Sequence, residues 1–191
     1  MNYLLLAISW IAYFILHSVF ALLPVKNMFN SIGITSQSYR LIYVIIAILS
    51  LFAILIFSSI IDSGFVFYPN NFLKLIGLLL AGWGVVIVKI AFKSYDTKAF
   101  LGIGSLAPED EFRTDGLLKK VRHPLYSGSI LLLAGYFLFS PKLSVLISVS
   151  MMIIYFLVGI QFEENKLIKA FGERYIEYKK KTPMLIPRFW K

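Results

Sequence analysis

Chemistry in this chain has few places to reside. Its 191 residues include no cysteine and only two histidines, His17 and His123, which lie 106 positions apart. Thiolate nucleophiles, iron–sulfur clusters and cysteine-based zinc sites are excluded, and a His-rich metal site has no basis. The richest stretch is Lys119-Lys120-Val121-Arg122-His123-Pro124-Leu125-Tyr126-Ser127-Gly128. Pro124 pushes His123 out of helical geometry and starts a helix after it. A starting helix presents backbone N–H groups and a positive dipole end, which suit an anionic group such as an amino-acid carboxylate. Tyr126 follows closely, and Gly128 lets another group near the backbone. The plainer alternative is a basic flank that anchors a membrane helix.

Two further stretches carry polar chemistry. Glu163-Glu164 ends an apolar run, where paired carboxylates oppose the helix dipole and need a cation. Arg122, Lys119, Lys166 and Arg174 are the candidate partners, or one carboxylate faces a cationic ligand. Glu164, Leu167, Ile168 and Phe171 recur at helical spacing, and Tyr175 and Tyr178 continue that face beyond Gly172. This pattern predicts an amphipathic interfacial helix that ends before Pro183. Its tyrosines either anchor it at the lipid surface or line a pocket, stacking on a purine or meeting a sulfonium by cation–π contact. His17 lies inside the first apolar run, as either a bundle-facing hydrogen-bonding group or a pocket residue. Asp96, Glu109, Asp110 and Asp115 read as solvated loop charges. Gly102-Ile103-Gly104-Ser105 follows no strand, so it is not a dinucleotide fingerprint.

The elements that hold these groups are set by composition. Hydrophobic residues make up 59% of the chain and charged residues 15%, with a mean hydropathy of +0.78. A soluble domain is about 45–50% apolar and about 25% charged, so the chain belongs in a membrane. The net charge of +9 then marks basic flanks and anionic lipid, with no nucleic-acid partner. Apolar runs cover Tyr3 to Leu23, Leu41 to Ile61, Phe72 to Phe92, Leu125 to Phe139 and Leu143 to Phe162. Each except the fourth approaches the roughly 20 residues of a bilayer crossing. The first lacks a basic n-region and a cleavage site, and so reads as a span. The last two form a helical hairpin around Ser140-Pro141-Lys142.

The expected fold is an all-α integral membrane protein of about five transmembrane helices, with a C-terminal helical hairpin and a cytoplasmic tail helix. Residues 1–191 form one membrane domain: 1–92 hold three spans, and 93–191 hold the loop, the hairpin and the tail. Lys and Arg number 16 in the Pro24–Arg40, Lys93–His123 and Glu163–Lys191 segments, against 2 on the other side. This asymmetry puts the long loop and the tail in the cytoplasm. Gly77 and Ala81, followed by Gly82 and Gly84, predict close helix packing.

Four blocks carry a resemblance. Arg122-His123-Pro124-x-Tyr126-x-Gly128, Glu163-Glu164-x-x-Leu167, Phe171-Gly172-x-x-Tyr175-x-x-Tyr178 and Thr182-Pro183-Met184-Leu185-Ile186-Pro187 resemble the isoprenylcysteine carboxyl methyltransferase and phospholipid methyltransferase superfamily. The match covers about residues 113–187. Trp10, His17-Ser18-x-x-Ala21, Lys26 and Tyr39-Arg40-Leu41-x-Tyr43 look more like its NnrU and methanethiol S-methyltransferase branch. The resemblance implies a prokaryotic inner-membrane enzyme using S-adenosyl-L-methionine, with its site on the cytoplasmic face. Lys120, Val121, Arg122, His123 and Tyr126 would cradle the cofactor, and Glu164, Tyr175 and Tyr178 would complete its pocket. An acceptor from the lipid bilayer, a small thiol, amine or carboxylate, would attack the sulfonium methyl directly, which mainly needs alignment and exclusion of water. Arg122 or Arg174 would pair with an anionic acceptor, and Glu163, Glu164 or His17 would take a proton from a neutral one. The alternatives are an isoprenylcysteine carboxyl or phospholipid amine methyltransferase, an NADPH-dependent membrane reductase, and a non-enzymatic NnrU-like protein.

Overall fold

The computed structural model describes residues 1–93 and 112–188. Asp96, Glu109, Asp110 and the Gly102–Ser105 run lie outside them. Helix α1 spans Asn2–Phe20, α2 Leu23–Ser31, α3 Ser36–Ile60 and α4 Asn71–Phe92. A 3-10 turn at Gly116–Lys119 leads to α5, Pro124–Phe139. Then come α6, Leu143–Phe171, and α7, Glu173–Lys181. Helices α1, α3, α4 and α6 are long and apolar enough to cross a membrane. With 16 residues, α5 is about 24 Å long, short of the ~30 Å hydrocarbon core. Leu49 and Ile60 are 64% and 71% exposed, as lipid-facing side chains must be. The chain is an all-α integral membrane protein.

Caps explain where the helices depart from the apolar runs. Helix α3 begins five residues before Leu41, because the Thr35 hydroxyl accepts the Ser38 N–H at 3.2 Å and starts the helix in polar sequence. Asn70 caps α4 in the same way, taking the Leu73 N–H at 2.8 Å. Residues 24–31, read from sequence as part of a loop, are helical, with Pro24 in the first turn of α2.

The described residues fall into two compact units. The first comprises 1–66 and 142–151. Leu6 and Trp10 are wholly buried there. The Trp10 indole donates to Ser148 Oγ at 3.0 Å, and Ser148 donates to the Ser144 carbonyl at 3.0 Å. The hydroxyls of Ser58 and Ser148 lie 3.2 Å apart, and the Ser144 N–H reaches Ser63 Oγ at 2.9 Å. Water is scarce at this depth, so such serines bind helices to one another.

The second unit comprises 67–93, 112–141 and 152–188. In it α4 and α5 meet backbone to backbone. A Cβ added to Gly77 would lie 2.7 Å from the Gly135 carbonyl, and one on Gly84 would lie 2.6 Å from that of Gly128. The small-residue spacing therefore does pack helices. Gly128 admits the α4 backbone, not a ligand. Gly82 faces open space.

Alanine at the two neighbouring glycines is expected to act oppositely. Gly84→Ala forces backbone apart and costs about 1–3 kcal/mol, whereas Gly82→Ala is neutral or stabilising by up to about 1 kcal/mol. Thermal unfolding of the two variants in detergent checks this.

Candidate functional site

The second unit brings together three segments that are distant in sequence. In α6, Ile160 and Glu164 lie one helical turn apart on the buried face, with relative exposures of 0% and 2%. Glu163, one residue back, turns outward, and its side chain is 42% exposed. At Gly172 the chain takes φ +55°, a left-handed conformation that glycine adopts without a Cβ clash. That turn ends α6 and re-aims the chain into α7. The third segment is Val121-Arg122-His123, non-helical ahead of Pro124, with His123 at φ −124° and ψ 66°.

These segments converge on the Glu164 carboxylate. Arg122 Nε and Nη2 reach Oε1 at 2.8 and 2.7 Å. His123 Nε2 lies 3.2 Å from the same oxygen, and Lys179 Nζ reaches Oε2 at 2.5 Å. Arg and Lys only donate, so both oxygens accept and the group is held as the anion. The remaining Arg122 nitrogen, Nη1, donates to the Thr182 and Lys179 carbonyls at 2.5 and 3.1 Å. The tail also docks through backbone: the Arg122 and His123 N–H groups donate to the Pro183 and Met184 carbonyls at 2.9 and 3.1 Å. The Ser127 hydroxyl donates to the Leu185 carbonyl at 2.7 Å, and the Tyr178 hydroxyl to that of Leu118 at 2.6 Å.

Of the partners anticipated for the glutamates, Arg122 is present. Arg174 instead lies over the Phe112 ring, 5.7 Å from its centroid, and neither Lys119 nor Lys166 takes part in the cluster. Lys179 was missed, because it sits 15 residues after Glu164 and only the Gly172 turn brings it back. The backbone N–H groups of Arg122 and His123, which the resemblance placed in the cofactor cradle, are taken by the tail. Lys120 is exposed and Val121 buried. Tyr126 sets its ring edgewise to His123, with centroids 5.8 Å apart, and to Phe156 at 5.4 Å. His123 Nδ1 looks toward Glu163, 3.8 Å away. His17 belongs to the first unit, where it stacks with Tyr13 and meets the Tyr43 hydroxyl at 3.0 Å.

Beside the ion cluster, Phe112 packs against Phe171, Tyr178 and Tyr175 at centroid distances of 5.1, 5.4 and 5.8 Å. Tyr175 is 1% exposed, and its hydroxyl has no hydrogen-bond partner among the described residues. Burial first, and then the nearby Glu164 charge, push its phenol well above the usual value near 10.

Residues 72–174, from α4 to the first turn of α7, match the phospholipid methyltransferase family model. The chain belongs to that family. The matched segment holds Arg122, His123 and Glu164 but stops short of Lys179 and the docked tail. Curated relatives carry one name. The methanethiol S-methyltransferase of Pseudomonas deceptionensis is 36% identical over 118 residues, 58% of this chain and 44% of its own. That of Crocosphaera subtropica is 34% identical over 131 residues, 61% and 50% respectively. Methanethiol S-methyltransferase 2 of Bradyrhizobium diazoefficiens is 40% identical over 86 residues, 41% and 30%. These matches span half or less of the length of those relatives. No solved structure matches the chain.

Removing one partner of a buried ion pair strands the other. Arg122→Ala is therefore expected to cost about 3–5 kcal/mol. Lys179, with its side chain 41% exposed, should cost about 1 kcal/mol or less on truncation to alanine. Arg122→Ala/Glu164→Ala should lose less than the sum of its single variants. Unfolding in detergent measures all three differences.

Proposed function

We propose that this phospholipid methyltransferase family member transfers the methyl group of S-adenosyl-L-methionine to a small, membrane-partitioning thiol. The observation that carries the reading is the family match across the unit that builds the Glu164 cluster. The curated relatives, named for methanethiol, supply the acceptor class. The residues fit the cofactor in a modified way. Arg122, Glu164 and Lys179 satisfy one another, so their part is to position the walls of the site. Groups with capacity for a ligand are the orphaned Tyr175 hydroxyl, the outward carboxylate of Glu163 and the ring of Tyr126. A buried unsatisfied hydroxyl costs about 1–3 kcal/mol, which a ligand acceptor atom would recover. Arg122 and Lys179 are engaged by Glu164 and are not open to the phosphates of NADPH, which weakens the reductase reading.

When bound, the cofactor supplies an electrophilic methyl on a sulfonium. The protein must align an acceptor with it, exclude water and remove the thiol proton. Glu163 is the carboxylate near the cluster that is not enclosed by cations, and we assign it the base role, with His123 orienting it from 3.8 Å. His17, in the first unit, and Arg174, over the Phe112 ring, have no part in this reading. The basic segments face the cytoplasm of a prokaryotic inner membrane, as the positive-inside asymmetry suggests.

Calorimetric titration of the detergent-purified chain with S-adenosylhomocysteine should give one-to-one micromolar binding. Incubation with S-adenosylmethionine and methanethiol should release dimethyl sulfide, detectable by gas chromatography. Binding without product would refute the thiol, and a folded sample that binds nothing would refute the cofactor. Tyr175→Phe is expected to weaken S-adenosylhomocysteine binding while leaving the ligand-free protein as stable or more so. The wild-type phenol is neutral in the fold, so its contribution is complete below the unfolded value near 10 and is lost as pH rises above it; Tyr175→Phe flattens that alkaline loss. Glu163→Gln should lower turnover with an alkanethiol by about 100-fold or more, and far less with an arenethiol that is already ionised.

A further inference from the structure

In the first unit, a cavity of about 190 Å³ is lined by Phe20, Ala21, Lys26, Ser36, Tyr39, Arg40 and Tyr43. It is too small for a drug- or cofactor-sized ligand, whose pockets measure about 300–1,000 Å³. Its walls come from the end of α1, from α2 and from the first two turns of α3. Helix α2 is what carries Lys26 to the same hollow as Arg40. Several of the lining hydroxyls are already engaged: Tyr39 donates to the Phe20 carbonyl at 2.7 Å, Tyr43 meets His17 at 3.0 Å, and Ser36 pairs with Asn30 at 3.3 Å. The hollow is therefore lined by aromatic rings together with the side chains of Lys26 and Arg40. Lys26 makes no ion pair among the described residues. Among the described residues of the unit, the carboxylate is Asp62, which lies past the far end of α3.

We infer that this cavity binds a phosphate ester, with Lys26 and Arg40 on the phosphate oxygens and Phe20, Tyr39 and Tyr43 against the carbon chain that follows. Guanidinium and ammonium groups together suit a phosphate, and basic pockets between helices at a membrane surface take lipid headgroups. A headgroup with its own ammonium would bring positive charge toward Lys26, so the favoured ligand is net anionic. The site lies outside residues 72–174 that match the family model and is separate from the Glu164 cluster.

The test is calorimetry on the full chain in neutral detergent, with dihexanoylphosphatidylglycerol and dihexanoylphosphatidylcholine below their micellar concentrations, and with inorganic phosphate. Saturable one-to-one binding of the phosphatidylglycerol, at least about tenfold tighter than the phosphatidylcholine, is expected. Lys26→Gln and Arg40→Gln should each weaken it about fivefold, whereas the charge-matched Lys181→Gln control should not. Inorganic phosphate binding as tightly as the lipid, with the same sensitivity to Lys26→Gln, would assign the site to a soluble phosphate; much weaker binding would assign it to lipid. Equal loss in the control, or no loss in Lys26→Gln, would overturn the proposal. So would the absence of saturable binding by any of the probes. Lys26→Gln decides alone if Arg40→Gln does not fold, because Lys26 lies on a short helix at the surface.

Discussion

A carboxylate with 2% exposure, at the edge of a membrane, governs the second unit. Its desolvation would cost several kcal/mol if it stood alone. Arg122, His123 and Lys179 offset that cost, and each must be brought from elsewhere in the chain. The requirement sets the local architecture. Pro124 keeps His123 out of helical geometry, and both Arg122 and His123 reach one oxygen. Gly172 turns the chain so that Lys179 reaches the other. The spare donor of Arg122 then fastens the carbonyls at Lys179 and Thr182, and the tail lies along the entrance to α5.

A division of labour follows among groups of similar chemistry. Glu164 and Glu163 are adjacent, yet one is consumed by structure and the other keeps an outward face. Tyr178 and Tyr175 are three residues apart on α7. The first spends its hydroxyl on the Leu118 carbonyl; the second buries its hydroxyl without a partner among the described residues. A site that fastens its own walls with full ion pairs can leave a few groups unsatisfied for a ligand. Methyl transfer suits such a site, since alignment and dryness contribute more to it than proton traffic.

The first unit solves the polar problem differently. Its interior hydrogen bonds run between serines and Trp10, all neutral, so no charge needs burial there. Among its described residues the Lys and Arg side chains are Lys26 on α2, Arg40 near the start of α3 and Lys142 just ahead of α6.

Sequence alone determined what depends on local chemistry. Apolar runs of about 20 residues marked four of the helices, because a bilayer fixes length. Gly77 and Ala81, with Gly82 and Gly84 following, marked a packing face, because small residues at one-turn spacing let backbones meet; of these, Gly82 faces open space. The types and order of Arg122-His123-Pro124 and Glu163-Glu164 marked the family and residues that the fold brings together. Tertiary structure decided the rest. Only three-dimensional packing chose Glu164 over Glu163, since helix register relative to the buried face separates neighbours by about 100°. It also chose Lys179 over Lys119, Lys166 and Arg174, because a single left-handed glycine redirects α7 and no spacing rule encodes that direction. The Arg122 and His123 backbone N–H groups, placed in a cofactor cradle by the resemblance, donate instead to carbonyls some 60 residues downstream. Helix α2 was hidden because a nine-residue helix, too short to span the membrane, carries no apolar signature, and with it went the hollow that joins Lys26 to Arg40.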